Sequence, residues 1–253
     1  PQMNGGFGYP QFVFYQPGYF YVNALASLFT DDLLVRQLLA LSFIALVGSL
    51  GVYRLARCFV SRAYAVLAVA AFQLAPYVHI NLYVRGDLSE WMALELAAWP
   101  LYFLHLFTHP SDDAAGVGRR FKAWVGLCLS IATVCYCHPV AVMFVPPIML
   151  LIGVACLAAH RSTAARLGVQ AMELFGAVLM GLVLSAPYWL TVATMKHRVN
   201  TDAALGAYFE TWNNTTPLRY LLFGSFLPGA SFNDNEFIGA PFVLLSLAGW
   251  WIG

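Results

Sequence analysis

The chain of 253 residues is 60% hydrophobic and only 10% charged, with a mean hydropathy of +0.70, where an ordinary soluble domain carries roughly 25% charged residues. That composition excludes a soluble globular fold and indicates an integral membrane protein. A net charge of +1 supplies no basic field for nucleic acid, so the placement of the few charges matters more than their sum.

The N-terminal segment is rich in glycine and aromatics, with Phe7, Tyr9, Phe12, Phe14, Tyr15, Tyr19, Phe20 and Tyr21. Amphipathic rings favour headgroup depth, so this segment is expected to form an interfacial belt, with 19–29 a short helix lying at the membrane surface. The chain opens on Pro1 and stops inside the apolar run Trp250-Trp251-Ile252-Gly253, and so reads as part of a longer protein without a legible signal peptide.

A spanning helix needs about 20 mostly apolar residues. The windows 34–53, 63–83, 88–107, 123–137, 140–158 and 169–191 qualify, and a seventh begins near Phe237. The expected fold is therefore all-α: a polytopic transmembrane bundle with six complete spans and a truncated one, forming a single membrane-embedded domain. The fourth window runs into His138-Pro139, which predicts a tight hairpin with the fifth. Pro139 suits the first turn of the returning helix, where its missing N–H is not needed.

Arg54, Arg57 and Arg62 follow the first span, Arg119, Arg120 and Lys122 the third, and Arg161 and Arg166 the fifth. These loops share one side, which the positive-inside rule makes cytoplasmic. The outer side then holds the N-terminal segment, the turn at 81–91, the turn at His138 and the long stretch 195–236, polar over 200–216 and apolar over 218–227. It carries Arg36, Arg85, Lys196, Arg198 and Arg219. Asn213-Asn214-Thr215-Thr216 contains two overlapping N-glycosylation sequons, which have meaning only in a eukaryotic secretory pathway.

Of the five cysteines, Cys128, Cys135, Cys137 and Cys156 fall in apolar spans and Cys58 lies beside cytoplasmic arginines, so no disulfide framework is expected. Cys135-Tyr136-Cys137-His138 resembles half a zinc site, but a structural zinc needs four ligands and the sequence has no second cluster. Small residues of a membrane core are the simpler reading, and no metal is assigned from this cluster.

The turn Asn81-Leu82-Tyr83-Val84-Arg85-Gly86-Asp87-Leu88-Ser89-Glu90-Trp91 concentrates charge between two apolar windows. Asp87 followed three residues later by Glu90 fits a capping box, in which each carboxylate accepts from an orphaned backbone N–H. Capping accounts for both acids without chemistry. A second reading uses the surroundings: His79, Asn81 and Tyr83 in the last turn of the incoming helix, with His138 on the same side, would line an outward-facing polar pocket. There Arg85 is the natural partner of a phosphate or pyrophosphate, which guanidinium binds bidentately. Glu95, deeper in the third window, is expected to face the bundle interior, because ionisable groups at such depth are expensive. Glu173 is expected to snorkel or to pair with Arg166.

Several motifs occur in order along nearly the whole chain: Asn4-Gly5-Gly6-Phe7-Gly8-Tyr9-Pro10-Gln11-Phe12-Val13-Phe14-Tyr15-Gln16-Pro17, Val52-Tyr53-Arg54-Leu55-Ala56-Arg57, Ala75-Pro76-Tyr77, 82–90 and His138-Pro139. The pattern resembles bacterial multi-pass membrane proteins labelled "6-pyruvoyl-tetrahydropterin synthase-related domain", which are similar to glycosyltransferases of the GT-C superfamily. The label does not imply pterin chemistry, for the histidine-rich zinc site of such a synthase is absent from the sequence. The resemblance implies a bacterial inner-membrane enzyme of the cell envelope that transfers a sugar from a polyprenyl-phosphate donor on the extracytoplasmic face.

In that superfamily an essential acid lies in the first outer loop, which places it upstream of Pro1; Asp31 and Asp32 depart from the expected position and are not assigned that role. The resemblance leaves Arg85, Lys196 and Arg198 as cations for the leaving phosphate, and Asp87 and Glu90 as oxygen ligands should a divalent cation, Mg or Mn, be used. Membrane lipids are the other expected partners, and the polyprenyl chain would lie in an apolar groove between spans. Two alternatives stay open: a transporter or lipid flippase, which would also employ Glu95 and Arg85, and a non-catalytic membrane scaffold.

Overall fold

A computed structural model describes residues 16–109, 116–159 and 164–195. The N-terminal motif up to Tyr15, Lys196, Arg198, the sequons and the seventh apolar window lie outside them. The described residues form α1 (Gly18–Ala26), α2 (Leu33–Ala56), α3 (Arg62–Gln73), α4 (Pro76–His79), a π-helical turn π1 (Ile80–Arg85), α5 (Leu88–Leu96), α6 (Ala98–Thr108), α7 (Gly116–Cys137), α8 (Pro139–Ala159) and α9 (Ala164–Met195). No strand occurs among the described residues.

Local chemistry sets the boundaries. Asp32 caps α2, its Oδ1 accepting from the Val35 N–H at 3.0 Å, as a short acidic side chain does at a helix start. Ala75 is extended at ψ 131° because Pro76 disfavours helical backbone before it, and Pro76 then opens α4 at a position that needs no N–H. The two pieces, Arg62–Gln73 and Pro76–Arg85, meet at a bend of 45°. The turn ends at Gly86, whose φ of 63° is left-handed and ill-suited to a residue with a Cβ. Asp87 caps α5, and α7 and α8 form the expected hairpin through His138, with Pro139 at the first position of α8.

The expected spans are met in part. Among the described residues, four helices are long and apolar enough to cross a membrane, Leu33–Ala56, Gly118–Cys137, Pro139–Ala159 and Leu167–Met195, or up to five if the bent pair is one span. The window 88–107, expected as one complete span, consists of α5 and α6 with a break at Ala97. Pro100 accounts for the break: it lacks the N–H that would bond Leu96, and its ring crowds that carbonyl.

Lipid tails are as apolar as leucine, so helix association in a membrane relies on close packing rather than on escape from water. One packed core joins α6, α7, α8 and α9 through Leu104, Phe107, Leu127, Ile131, Met149 and Leu174. A second joins α1, α2, α4, α5 and α7 through Tyr19, Ile44, Val78, Trp91, Met92 and Val134. On α2 the buried positions are Ala40, Ile44, Gly48 and Gly51, a narrow seam that leaves Leu38, Phe43 and Leu46 facing outward. Met143 and Leu151 on α8 and Met172 and Val183 on α9 are likewise exposed, an apolar exterior suited to lipid.

The two ends of this bundle differ in chemistry. Asp87, Glu90 and His138 meet at one end. At the other, the Phe59 ring lies 5.0 Å from that of His105 and Arg120 pairs with Glu173. Glu173 thus has a partner that was not expected, Arg120, delivered across the α7 and α9 contact. The side chain of Arg166 lies outside the described residues. The backbone carbonyl of Glu173 also accepts from Trp124 Nε1 at 2.9 Å.

Candidate functional site

Tyr77, Asn81 and Arg85 are spaced by four residues and so share one face of the incoming segment. Asn81 is fully buried; its Nδ2 donates to the Tyr77 carbonyl at 3.2 Å and its Oδ1 accepts from Arg85 at 2.8 Å. The same guanidinium nitrogen lies 3.0 Å from Glu90 Oε2 and 3.3 Å from the Tyr77 hydroxyl. Glu90 Oε1 accepts from that hydroxyl. An aromatic hydroxyl, an amide, a guanidinium and a carboxylate thus form one network.

Half of the anticipated capping box is present. Asp87 Oδ1 accepts from the Glu90 N–H at 2.9 Å, whereas the Asp87 N–H is taken by the Asn81 carbonyl at 3.0 Å. Glu90 therefore does not reach back to the helix start; its carboxylate goes to Tyr77 and Arg85. Capping explains Asp87 and leaves Glu90 to be explained by the network.

His138 completes the group from across the bundle. One ligand atom each of Asp87, Glu90 and His138 lies within 4.8 Å of the others, all three side chains half-buried. Ligands of one divalent ion at about 2.1 Å sit no more than about 4.2 Å apart, so small side-chain movements would bring the trio onto a cation. Two carboxylates and an imidazole suit Mn or Zn better than Mg, which prefers oxygen alone. Glu90 is already paired with Arg85, and a cation would compete with that guanidinium for the carboxylate.

His79 and Tyr83 occupy a different face. Their rings stack on one another at 5.8 Å and 13°, with Tyr83 76% exposed. Set two residues away from Tyr77, Asn81 and Arg85, they turn outward rather than lining the pocket. Lys196 and Arg198 lie outside the described residues.

Five residues along α5 from Glu90, Glu95 is fully buried, as its depth predicts. Its Oε2 accepts from Gln73 Nε2 at 2.8 Å, the Gln73 amide also reaching Ser49 Oγ at 3.1 Å. Glu95 Oε1 has no hydrogen-bond partner among the described residues. Gly48 makes the cradle: a Cβ there would stand 2.8 Å from the Glu95 carbonyl oxygen and overlap its carboxylate. Tyr77, Gln73, Ser49 and Gly48 are the participants that sequence reading missed.

An apolar cavity of about 360 Å³, lined by Val22, Ile44, Met92, Trp99 and Thr133 among others, lies between α1, α2, α5, α6 and α7. A groove of about 580 Å³ along α1 and α2 adjoins it through Val22 and Phe43, which line both. At the other end of α1, Gly18 packs on the Tyr136 carbonyl and Cys137, one residue from His138. Cys58, Cys128, Cys135 and Cys137 are unbridged thiols. No protein-family model matches the chain, no curated protein matches it, and no solved structure matches it.

Proposed function

We propose that the chain belongs to a membrane glycosyltransferase of GT-C type, transferring a sugar from a polyprenyl-phosphate donor at the membrane face that bears Arg85. The observation that carries this reading is a cationic and acidic cluster at one end of the bundle, in a bundle whose apolar cavity is lined by Met92, two residues beyond Glu90 on α5. A lipid phosphate has that shape: a charged head on a long apolar tail. The ordered motifs that resemble bacterial GT-C-like proteins support the same assignment.

In this reading Arg85 holds the phosphate, released from Glu90 as the donor arrives, and so stabilises charge on the leaving group. Asn81 and Tyr77 set the position of the guanidinium. The prenyl chain follows the groove along α1 and α2. Asp87, Glu90 and His138 would hold a divalent cation, which would add a second positive charge at the phosphate. Lys196 and Arg198 are further cations for the same face, and no residue of the chain is assigned as the base.

A labelled polyprenyl-phosphate sugar added to membranes containing full-length protein tests the reading. Arg85→Ala is expected to lower transfer about 100-fold, the scale of losing one charged donor to a developing anion. Unchanged transfer would remove Arg85 from the site. The buried Glu95 favours a second reading, a transporter or flippase, because intramembrane carboxylates mark ion pathways. Ion-linked movement of a lipid across proteoliposomes, abolished by Glu95→Gln and without sugar transfer, would replace the first reading by the second.

A further inference from the structure

The charges of the rim cluster do not suit an anion as they stand. One guanidinium, Arg85, meets the fields of two carboxylates, Glu90 and Asp87, so with a neutral imidazole at His138 the group carries one net negative charge. A phosphate monoester arriving there is repelled, and the guanidinium that would hold it is neutralised by Glu90, 3.0 Å away. A divalent cation among Asp87, Glu90 and His138 reverses the cluster to one net positive charge.

Glu90 is the group on which both states turn. Its Oε2 meets Arg85 and its Oε1 the Tyr77 hydroxyl, so a cation reaches Glu90 only by sharing one of those oxygens. The double charge of the ion draws on the carboxylate charge that now holds the guanidinium, and it repels the guanidinium directly. Asp87 can contribute without losing its cap, because the Glu90 N–H occupies Oδ1 alone. Arg85 stays in place once the pair is loosened: Asn81 Oδ1 accepts from it at 2.8 Å, and Asn81 is fully buried and tied to the Tyr77 carbonyl. His138 enters from the hairpin between α7 and α8, beside the two acids.

We propose that a divalent cation on Asp87, Glu90 and His138 loosens Glu90 from Arg85 and so switches the rim to phosphate binding, the two ligands binding with positive coupling. The inference rests on the assignment of a lipid phosphate to Arg85 and is independent of sugar transfer. Coupling is reciprocal, so the phosphate must tighten the cation by the same factor. Glu90 then has two opposed roles: it is a ligand of the cation and, without the cation, a lock on the guanidinium. Removing its charge should therefore help phosphate when no cation is bound, an outcome that a purely structural role for Glu90 does not give.

Binding of farnesyl phosphate to purified full-length protein in detergent tests it, measured by titration calorimetry with and without Mn, while free Mn is read by electron paramagnetic resonance. Mn is expected to tighten farnesyl phosphate about tenfold, and farnesyl phosphate to tighten Mn equally. Without Mn, Glu90→Gln is expected to bind farnesyl phosphate about fivefold more tightly than the wild type. The same variant should lose Mn affinity by about tenfold or more and gain less than about twofold in phosphate affinity from Mn. A gain in affinity cannot come from misfolding, so Glu90→Gln separates the lock from the fold. Weaker metal-free binding by Glu90→Gln, or a wild-type affinity indifferent to Mn, would overturn the proposal and leave phosphate recognition by Arg85 standing. No binding with or without Mn would refute that recognition, and the coupling with it. An Mn effect that persists in full in Arg85→Ala would also overturn the proposal, because the ion would then act on the phosphate without the guanidinium.

Discussion

Glu90 and Glu95 sit five residues apart on one helix and meet opposite surroundings. Glu90, with a side chain 17% exposed, faces a guanidinium and a phenol, and both of its oxygens are engaged. Glu95 is fully buried against a glycine, has an amide for its hydrogen-bond partner, and keeps one oxygen without a partner among the described residues. The contrast separates two uses of a carboxylate in a membrane bundle. At the rim a carboxylate can be held by a cation that a ligand is able to take away; in the interior it is fixed by shape, and what it binds must be neutral or come with its own charge.

The strongest way to break the interior half of the comparison is Gly48→Val. Its side chain would enter the space of the Glu95 carboxylate, and overpacking of this kind costs about 3 kcal/mol. Thermal unfolding in detergent should show the loss, and Glu95→Ala in the same chain should recover much of it. No recovery would mean that Gly48 answers to the backbone rather than to the carboxylate.

The rim half is sharpened by a smaller pair of changes. Asp87→Ala should destabilise by about 1 kcal/mol and Asp87→Asn by only a few tenths, because asparagine caps a helix about as well as aspartate. If Asp87 also binds a cation, Asn should still lower Mn binding while leaving the melting temperature nearly unchanged. Equal Mn binding by the wild type and Asp87→Asn would confine Asp87 to capping.

The smallest expected effect lies at the far end. Arg120 and Glu173 are 21% and 47% exposed, so a double-mutant cycle between Arg120→Ala and Glu173→Ala should return a coupling of about 1 kcal/mol or less, falling with salt. A larger coupling would place this pair in a drier setting than its exposure indicates.

Much of the helical order could be read from the chain because apolar length is written locally. The hairpin at His138-Pro139 and the interior position of Glu95 followed from residue type and depth alone. The break in the third window was also written there, since Pro100 lies near the middle of 88–107, but apolarity hid it. The site was less legible. Asp87 and Glu90 look like a capping box in one dimension, and only the approach of Tyr77 and Arg85 shows that Glu90 leaves it. The spacing Tyr77, Asn81, Arg85 carries a usable signal, a polar stripe every four residues, that would have recruited Tyr77 and set His79 and Tyr83 on another face. That His138 meets Asp87 and Glu90 depends on how α5 packs beside α7, a contact between positions some fifty residues apart that no local pattern encodes.

Binding of sugar-free polyprenyl phosphate to the full-length protein tests the rim site most directly, because it isolates recognition of the phosphate from turnover. Arg85→Ala is predicted to weaken binding about tenfold, the scale of a charge-assisted hydrogen bond, whereas the outward-facing His79→Ala and Tyr83→Ala should leave it within about twofold. Undiminished binding by Arg85→Ala, or an equal loss from the outward-facing pair, would contradict the assignment of the phosphate to the inner face of that turn.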